Sequence, residues 1–201
     1  MNSLYLENDD NFYKIIKKKK DEETIFYLNY KNKIIKSEKD LKENMDDELK
    51  FKIYMLEAAN KKDLKERYNY IYDIVCDYLD KKIKNDNICD FKNNKCISVR
   101  NNSHCKESLN GCCYGRSRGL CKHFKNGKCN IKSISCKLFT CRYLKKQKIK
   151  FKVNEIPLLN YFFNNKQKYI LDISIFKDKD EIINLLLKNC WNWQNNIFIV
   201  K

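Results

Sequence analysis

The chain is poor in backbone punctuation, with four glycines and one proline in 201 residues. All four glycines lie between Gly111 and Gly127, so backbone freedom is concentrated in one short stretch. No run approaches the roughly 18 uncharged apolar residues that a bilayer span requires, so a soluble protein without a membrane partner is expected. The opening MNSLYLENDDNFYKIIKKKK lacks an apolar segment followed by a small-residue cleavage site, and the expected compartment is the cytoplasm. A Gly-rich phosphate loop, a G-x-S-x-G elbow and an H-E-x-x-H helix are also missing. Within the cysteine-rich stretch only Asp90 and Glu107 are acidic, which leaves little room for paired catalytic carboxylates.

What is abundant is sulfur. Nine of the eleven cysteines lie between Cys89 and Cys141, together with both histidines, His104 and His123. Nine small side chains among lysines and asparagines cannot form a hydrophobic core, so disulfides or metal ions must explain them. Disulfides belong to oxidising compartments, and a cytoplasmic chain points to metal. Eleven potential ligands suffice for two four-coordinate ions, or for one cluster plus one ion. Thiolates select zinc or an iron–sulfur cluster over hard cations.

The formal net charge is +16. Lys, Asn, Ile and Tyr are all common, as an AT-rich coding sequence would produce, so the global charge says little. Its distribution says more: from Cys89 to Lys146 ten Lys and four Arg face two acids, a net of +12. Two explanations compete. Four thiolates around a divalent ion leave −2, which nearby cations would balance while favouring thiolate over thiol. Alternatively the stretch is a phosphate-binding surface, with Arg116 and Arg118 of the GRSRG loop as candidates and nucleic acid as the partner.

The flanks read as a mainly α scaffold, with α+β as the alternative. Residues 1–88 form an N-terminal helical part, 89–146 the cysteine-rich segment, and 147–201 a C-terminal helical part packing on the same core. The lysine run Lys17–Lys20 reads as a solvated face. Thr24–Lys36 is β-branched and aromatic about an Asn-Lys-Asn centre, which predicts a short hairpin. Ser37 and Asp40 resemble a capping box ahead of Leu41, Met45, Leu49, Ile53 and Leu56 at helical spacing. Asp63 and Glu66 open a second helix whose stripe runs from Leu64 through Tyr68, Ile71, Tyr72, Val75 and Leu79 to Ile83. The two helices are expected to pair antiparallel, with Cys76 as a core residue.

Ser133 and Ser135 offer N-caps to a helix running through Leu138, Phe139, Tyr143 and Leu144, with Cys136 in its first turn. Pro157 is placed as the first residue of a helix. Ile170–Phe176 is ambiguous between strand and helix, and Asp180 opens a final helix. Cys190, Trp191, Trp193, Ile197 and Phe198 are expected to close the core.

Paired C-x2-C knuckles never occur, which argues against a zinc finger, ribbon or RING and against a thioredoxin-like motif. The C-x3-C-x2-C loop of radical SAM chemistry is absent too. What is present is Cys105, the adjacent Cys112 and Cys113, then Cys121-Lys-His-Phe, Gly127-Lys-Cys129-Asn-Ile and Cys136-Lys-Leu-Phe-Thr-Cys141. In order and spacing this resembles the YkgJ-type cysteine-cluster family of zinc- or iron-chelating domains, over roughly residues 96 to 144. One departure stands out: Leu109 occupies the family's second cysteine position and carries no ligand atom. Either Cys96 or His104 substitutes, or one site is degraded.

The resemblance implies a metal-binding protein holding zinc or an iron–sulfur cluster at one or two sites. The expected ligands are Cys105, Cys112, Cys113, Cys121, Cys129, Cys136 and Cys141, followed by Cys96 and His104, with Cys89 last. Cys112 and Cys113 point apart in an extended backbone, so they serve different metals or bridge two. Two alternatives from other classes are a metal-stabilised nucleic-acid-binding module and an iron–sulfur enzyme in redox or protein-modification chemistry. The second follows from similar clusters in flagellin lysine methylases.

Overall fold

The computed structural model describes residues 2–5, 14–20, 23–30, 33–35, 37–40, 46–93, 95–101, 113, 121–126, 128–175 and 177–190. Its core is mainly helical. At the N-terminus β1 (Asn2–Tyr5), β2 (Lys14–Lys20), β3 (Glu23–Tyr30) and β4 (Lys33–Ile35) form an antiparallel meander in chain order. The predicted hairpin is its last ribbon, with Tyr30 opposite Lys33 and Leu28 opposite Ile35. Two strands precede it that the sequence reading left out, and the lysine run lies in one of them.

Ser37 N–H does donate to the Asp40 carboxylate at 2.9 Å, but the pair holds a short 3-10 turn, Glu38–Asp40. The first helix, α1 (Asp47–Ala59), is capped instead by Asp46, whose side chain accepts from Leu49 N–H at 2.7 Å. Leu41 and Met45 lie outside the described residues. Asp63 caps α2 (Leu64–Asn85) as predicted, accepting from Glu66 N–H at 2.6 Å. Asp47 at the start of α1 pairs with Lys81 late in α2, and Glu57 accepts from the Tyr70 hydroxyl, so the helices run antiparallel. Arg67 fastens the link between them. Its Nε donates to the Ala58 carbonyl at 3.0 Å and its Nη2 to Ala59 at 3.2 Å, satisfying carbonyls that a helix end leaves open. Burial lowers that guanidinium to about 10, so it stays charged at neutral pH.

The C-terminal part is a run of short helices: α6 (Leu159–Phe162), α7 (Asn165–Ile173) and α8 (Lys179–Lys188). Pro157 is not a first helical residue. It precedes Leu158, which takes φ 61° as the cap of α6, so the proline sits in the turn before the helix. The ambiguous stretch is helical to Ile173, because Asn164 and Gln167 form a capping box that starts α7 earlier. Asp178 rather than Asp180 is the cap of α8. One apolar cluster runs from Ile35 through α1 and α2 to Leu186, with Tyr68, Ile71, Val75 and Cys76 fully buried. Gln167 is buried within it and donates to the Tyr68 hydroxyl at 2.8 Å and the Leu186 carbonyl at 2.9 Å. The Tyr68 hydroxyl in turn meets Cys190 Sγ at 3.2 Å, so Cys190 packs on the core as expected. The rest of the tail, from Trp191, lies outside the described residues.

Among the described residues no helix is long and apolar enough to cross a membrane.

Candidate metal centre

Beyond α2 the chain makes a tight excursion. Asn87, Asp90 and Asn93 take φ of 44°, 36° and 49°, a region that Asn and Asp tolerate better than most residues. Lys92 and Lys95 exchange backbone hydrogen bonds at 3.0 and 2.9 Å, and Ile97 N–H donates to the Cys89 carbonyl at 3.1 Å. Cys89 and Cys96 thus stand at the two ends of one closed turn. Arg100 braces it, donating to the Asp90 carbonyl at 2.6 Å and to its carboxylate. That hydrogen bond holds the Asp90 carboxyl below its usual range. The Arg100 Nε is buried with no hydrogen-bond partner.

The predicted helix around Cys136 is two helices, α4 (Ile134–Leu138) and α5 (Arg142–Lys146), broken where Phe139 turns extended at ψ 122°. Ser133 is the cap, accepting from Cys136 N–H at 3.3 Å, while Ser135 is buried and donates to the Leu171 carbonyl. Helix α4 is anchored to the scaffold on several sides. Ile134 and Leu138 enter the main core, the Tyr72 hydroxyl accepts from Ile134 N–H at 3.3 Å, and Lys137 pairs with Asp80 of α2. Cys141 caps α5 with φ −69° and ψ 164°; Cys96 caps the four-residue α3 (Ile97–Arg100) with φ −71° and ψ 162°. Both are buried.

Between these pieces lies a cavity of about 470 Å³ whose wall includes Cys89, Cys96, Cys113, Cys136 and Cys141. Its aromatic side is formed by Phe91, Phe124, Phe139, Tyr143 and Phe151. Phe91 stacks on Phe124 with centroids 4.1 Å apart, clipping the Cys89–Cys96 turn onto the small ladder of β5 (Phe124–Lys125) and β6 (Lys128–Cys129). Cys141 and Leu144 are the buried centre of a second apolar cluster that also holds Ile88, Cys89 and Phe139.

Of the ligands named from sequence, Cys96, Cys113, Cys136 and Cys141 share the cavity. Cys121 is joined to it through the backbone, donating its N–H to the Cys113 carbonyl at 2.5 Å. Cys129 lies in β6 opposite Phe124. Cys105, Cys112, His104 and the substituted Leu109 lie outside the described residues, as do Arg116 and Arg118. His123 is half-buried and is not part of the wall. Cys89, placed last in the sequence reading, does line it. Cys76 is a core thiol, and burial pushes it up to about 12, so it is protonated at neutral pH.

Sequence reasoning missed Asp80, Lys137 and the Phe91–Phe124 stack. Phe91 and Phe124 each lie within three residues of a cysteine, a signal that was there to be used; nothing in the spacing of α2 marks Asp80. Among the described residues no three Cys, His, Asp or Glu already stand at metal-holding spacing. Five thiols nonetheless border one space, with lysines in the same wall.

No family model matches the chain, no curated protein matches it, and no solved structure matches it.

Proposed function

We propose that this chain is a metal-binding cysteine-cluster protein of the YkgJ type, whose thiolates hold zinc or an iron–sulfur cluster. The observation that carries the reading is the gathering of five cysteines, from segments well separated in sequence, around a single cavity. Cys96, Cys113, Cys136 and Cys141 are ligands from that wall, and Cys105, Cys112, Cys121, Cys129 and His104 complete the donor set. The bound metal supplies a cross-link that holds a glycine-rich, loop-rich segment on a helical scaffold. The free thiols of Cys96, Cys121 and Cys136 suit a reducing compartment, and we assign the protein to the cytoplasm.

Anaerobic purification with zinc and iron quantification and an absorption spectrum tests this. Zinc in a colourless protein, or iron with visible absorption bleached by dithionite, is the expected result. A folded chain containing neither metal ends the proposal.

A second reading, binding of nucleic acid, is favoured by the exposure of Lys122, Lys125, Arg142, Lys145 and Lys146 on the +12 stretch. Affinity for DNA or RNA should then fall steeply with salt. Absence of binding at low salt removes it.

A further inference from the structure

We infer that two matching lysine turns, residues 91–96 and 124–129, contact the phosphates of a nucleic-acid duplex; this rests on the nucleic-acid reading above and gives it a surface.

The chain repeats itself at these two places. Residues 91–96 read Phe-Lys-Asn-Asn-Lys-Cys and residues 124–129 read Phe-Lys-Asn-Gly-Lys-Cys, identical at five of six positions. Both copies fold back at the same point. Lys92 stands opposite Lys95 and Lys125 opposite Lys128 in antiparallel register, and the asparagine after the first lysine takes φ 49° at Asn93 and 51° at Asn126. Asparagine enters that left-handed region more readily than most residues, so the shared residue accounts for the shared turn. The copies are also joined. Phe91 stacks on Phe124 with ring planes 29° apart, so the first residue of one turn meets the first residue of the other.

Side chains alternate across a strand, so the lysines that follow the stacked rings point away from them. Lys92, Lys95 and Lys125 are exposed accordingly, as is Lys122 just before the second turn, and none of the four is ion-paired among the described residues. The acid nearest in sequence to the first turn, Asp90, is engaged by Arg100. Like charges set directly opposite each other repel. Each turn holds such a pair in its register, an arrangement that a bound phosphate relieves.

Two strand pairs packed face to face stand roughly 10 Å apart. Cationic points fixed at that separation suit phosphates on the two edges of a duplex groove, about 6 to 12 Å wide. The rings between them are stacked on each other, with Phe124 only 7% exposed, and offer no platform for unpaired bases.

The test uses the full chain, purified without oxygen, and the fluorescence anisotropy of a labelled mixed-sequence DNA duplex over a range of salt. Lys92→Gln with Lys95→Gln, and Lys122→Gln with Lys125→Gln, should each weaken binding and lower the salt slope by about 1.8, roughly 0.9 per lost phosphate contact. Lys65→Gln with Lys166→Gln removes the same charge from exposed positions on the helical scaffold and should leave the slope unchanged. Phe91→Ala keeps every charge but frees one turn from the other, and should weaken duplex binding about two- to tenfold. Single-stranded DNA of the same sequence and poly-glutamate should both bind more weakly than the duplex. An unchanged slope in both turn variants, with duplex binding retained, overturns the assignment while leaving the nucleic-acid reading intact. An equal loss in the scaffold variant, or tighter binding of the single strand or of poly-glutamate, overturns it as well. A wild-type chain that binds neither DNA nor RNA at low salt fails the nucleic-acid reading itself.

Discussion

The core around α2 and the segment beyond its C-terminal end show two ways of stabilising a chain. In the core Tyr68, Ile71, Tyr72 and Val75 are at most 1% exposed, and α1, α7 and α8 belong to the same apolar cluster. Each such side chain contributes roughly 1.5–3 kcal/mol through removal from water, and the buried polar groups of Gln167 and Tyr68 satisfy one another. Beyond the C-terminal end of α2 the second cluster has, among the described residues, Cys141 and Leu144 as its buried members, close to tight turns with positive φ. The contrast teaches that, among the described residues, the helical part is held by one extended apolar cluster and the cysteine part by a much smaller one. Under the proposed reading, a metal would supply what apolar area there does not.

The largest expected effect separates the two regions outright. Structural zinc contributes roughly 10–16 kcal/mol in small metal-folded units, so chelation should collapse the cysteine segment while the α1–α2 pair survives. Hydrogen exchange should show loss of protection in 95–146, with protection kept around Tyr68 and Ile71; simultaneous loss in both would erase the contrast. Ile71→Ala should cost about 2–5 kcal/mol and lower the urea midpoint of the whole molecule, because it leaves a cavity in the shared helix. If only the cysteine part responded, the roles would be reversed.

Tyr72→Phe leaves the buried Ile134 N–H without the hydroxyl that accepts from it, an expected loss of about 1–3 kcal/mol. Its effect should appear as faster exchange in α4 before α1. Lys137→Met removes a pair whose aspartate is 42% exposed and can be solvated, so about 1 kcal/mol or less is expected in melting experiments. The smallest effect is one of pH. The Arg100 hydrogen bond depresses the Asp90 carboxyl in the folded state, so its stabilisation is present above the ordinary carboxylate range and lost as pH falls through the lowered value. Acid should loosen the Cys89–Cys96 turn, and Asp90→Asn should remove that pH dependence in exchange or NMR measurements of residues 89–100.

The stripes of α1 and α2, the Asp63 cap and the core position of Cys76 were legible because each follows from residues three or four apart. Asp46 was not legible as the start of α1, because Ser37 and Asp40 offered a competing local cap that closes only a 3-10 turn. The break between α4 and α5 was hidden for a different reason. Phe139 and Tyr143 stand four apart as in one helix, yet Leu138 is drawn into the main core while Phe139, Tyr143 and Leu144 line the cavity. Four of the nominated ligands reached the cavity, and Cys89 joined them although no short-range spacing pointed to it.

From residue order alone came the antiparallel helix pair, the hairpin at Tyr30 and Lys33, and the concentration of thiols and positive charge in one stretch. These are properties of neighbours along the chain, set by side-chain period and turn chemistry. Only the folded arrangement decided that Cys89 and Cys141, at opposite ends of that stretch, border one space. The reason is that α2 holds α4 through Asp80, Tyr72 and apolar contact, and then delivers Cys89 at its own exit, an encounter that no local pattern encodes.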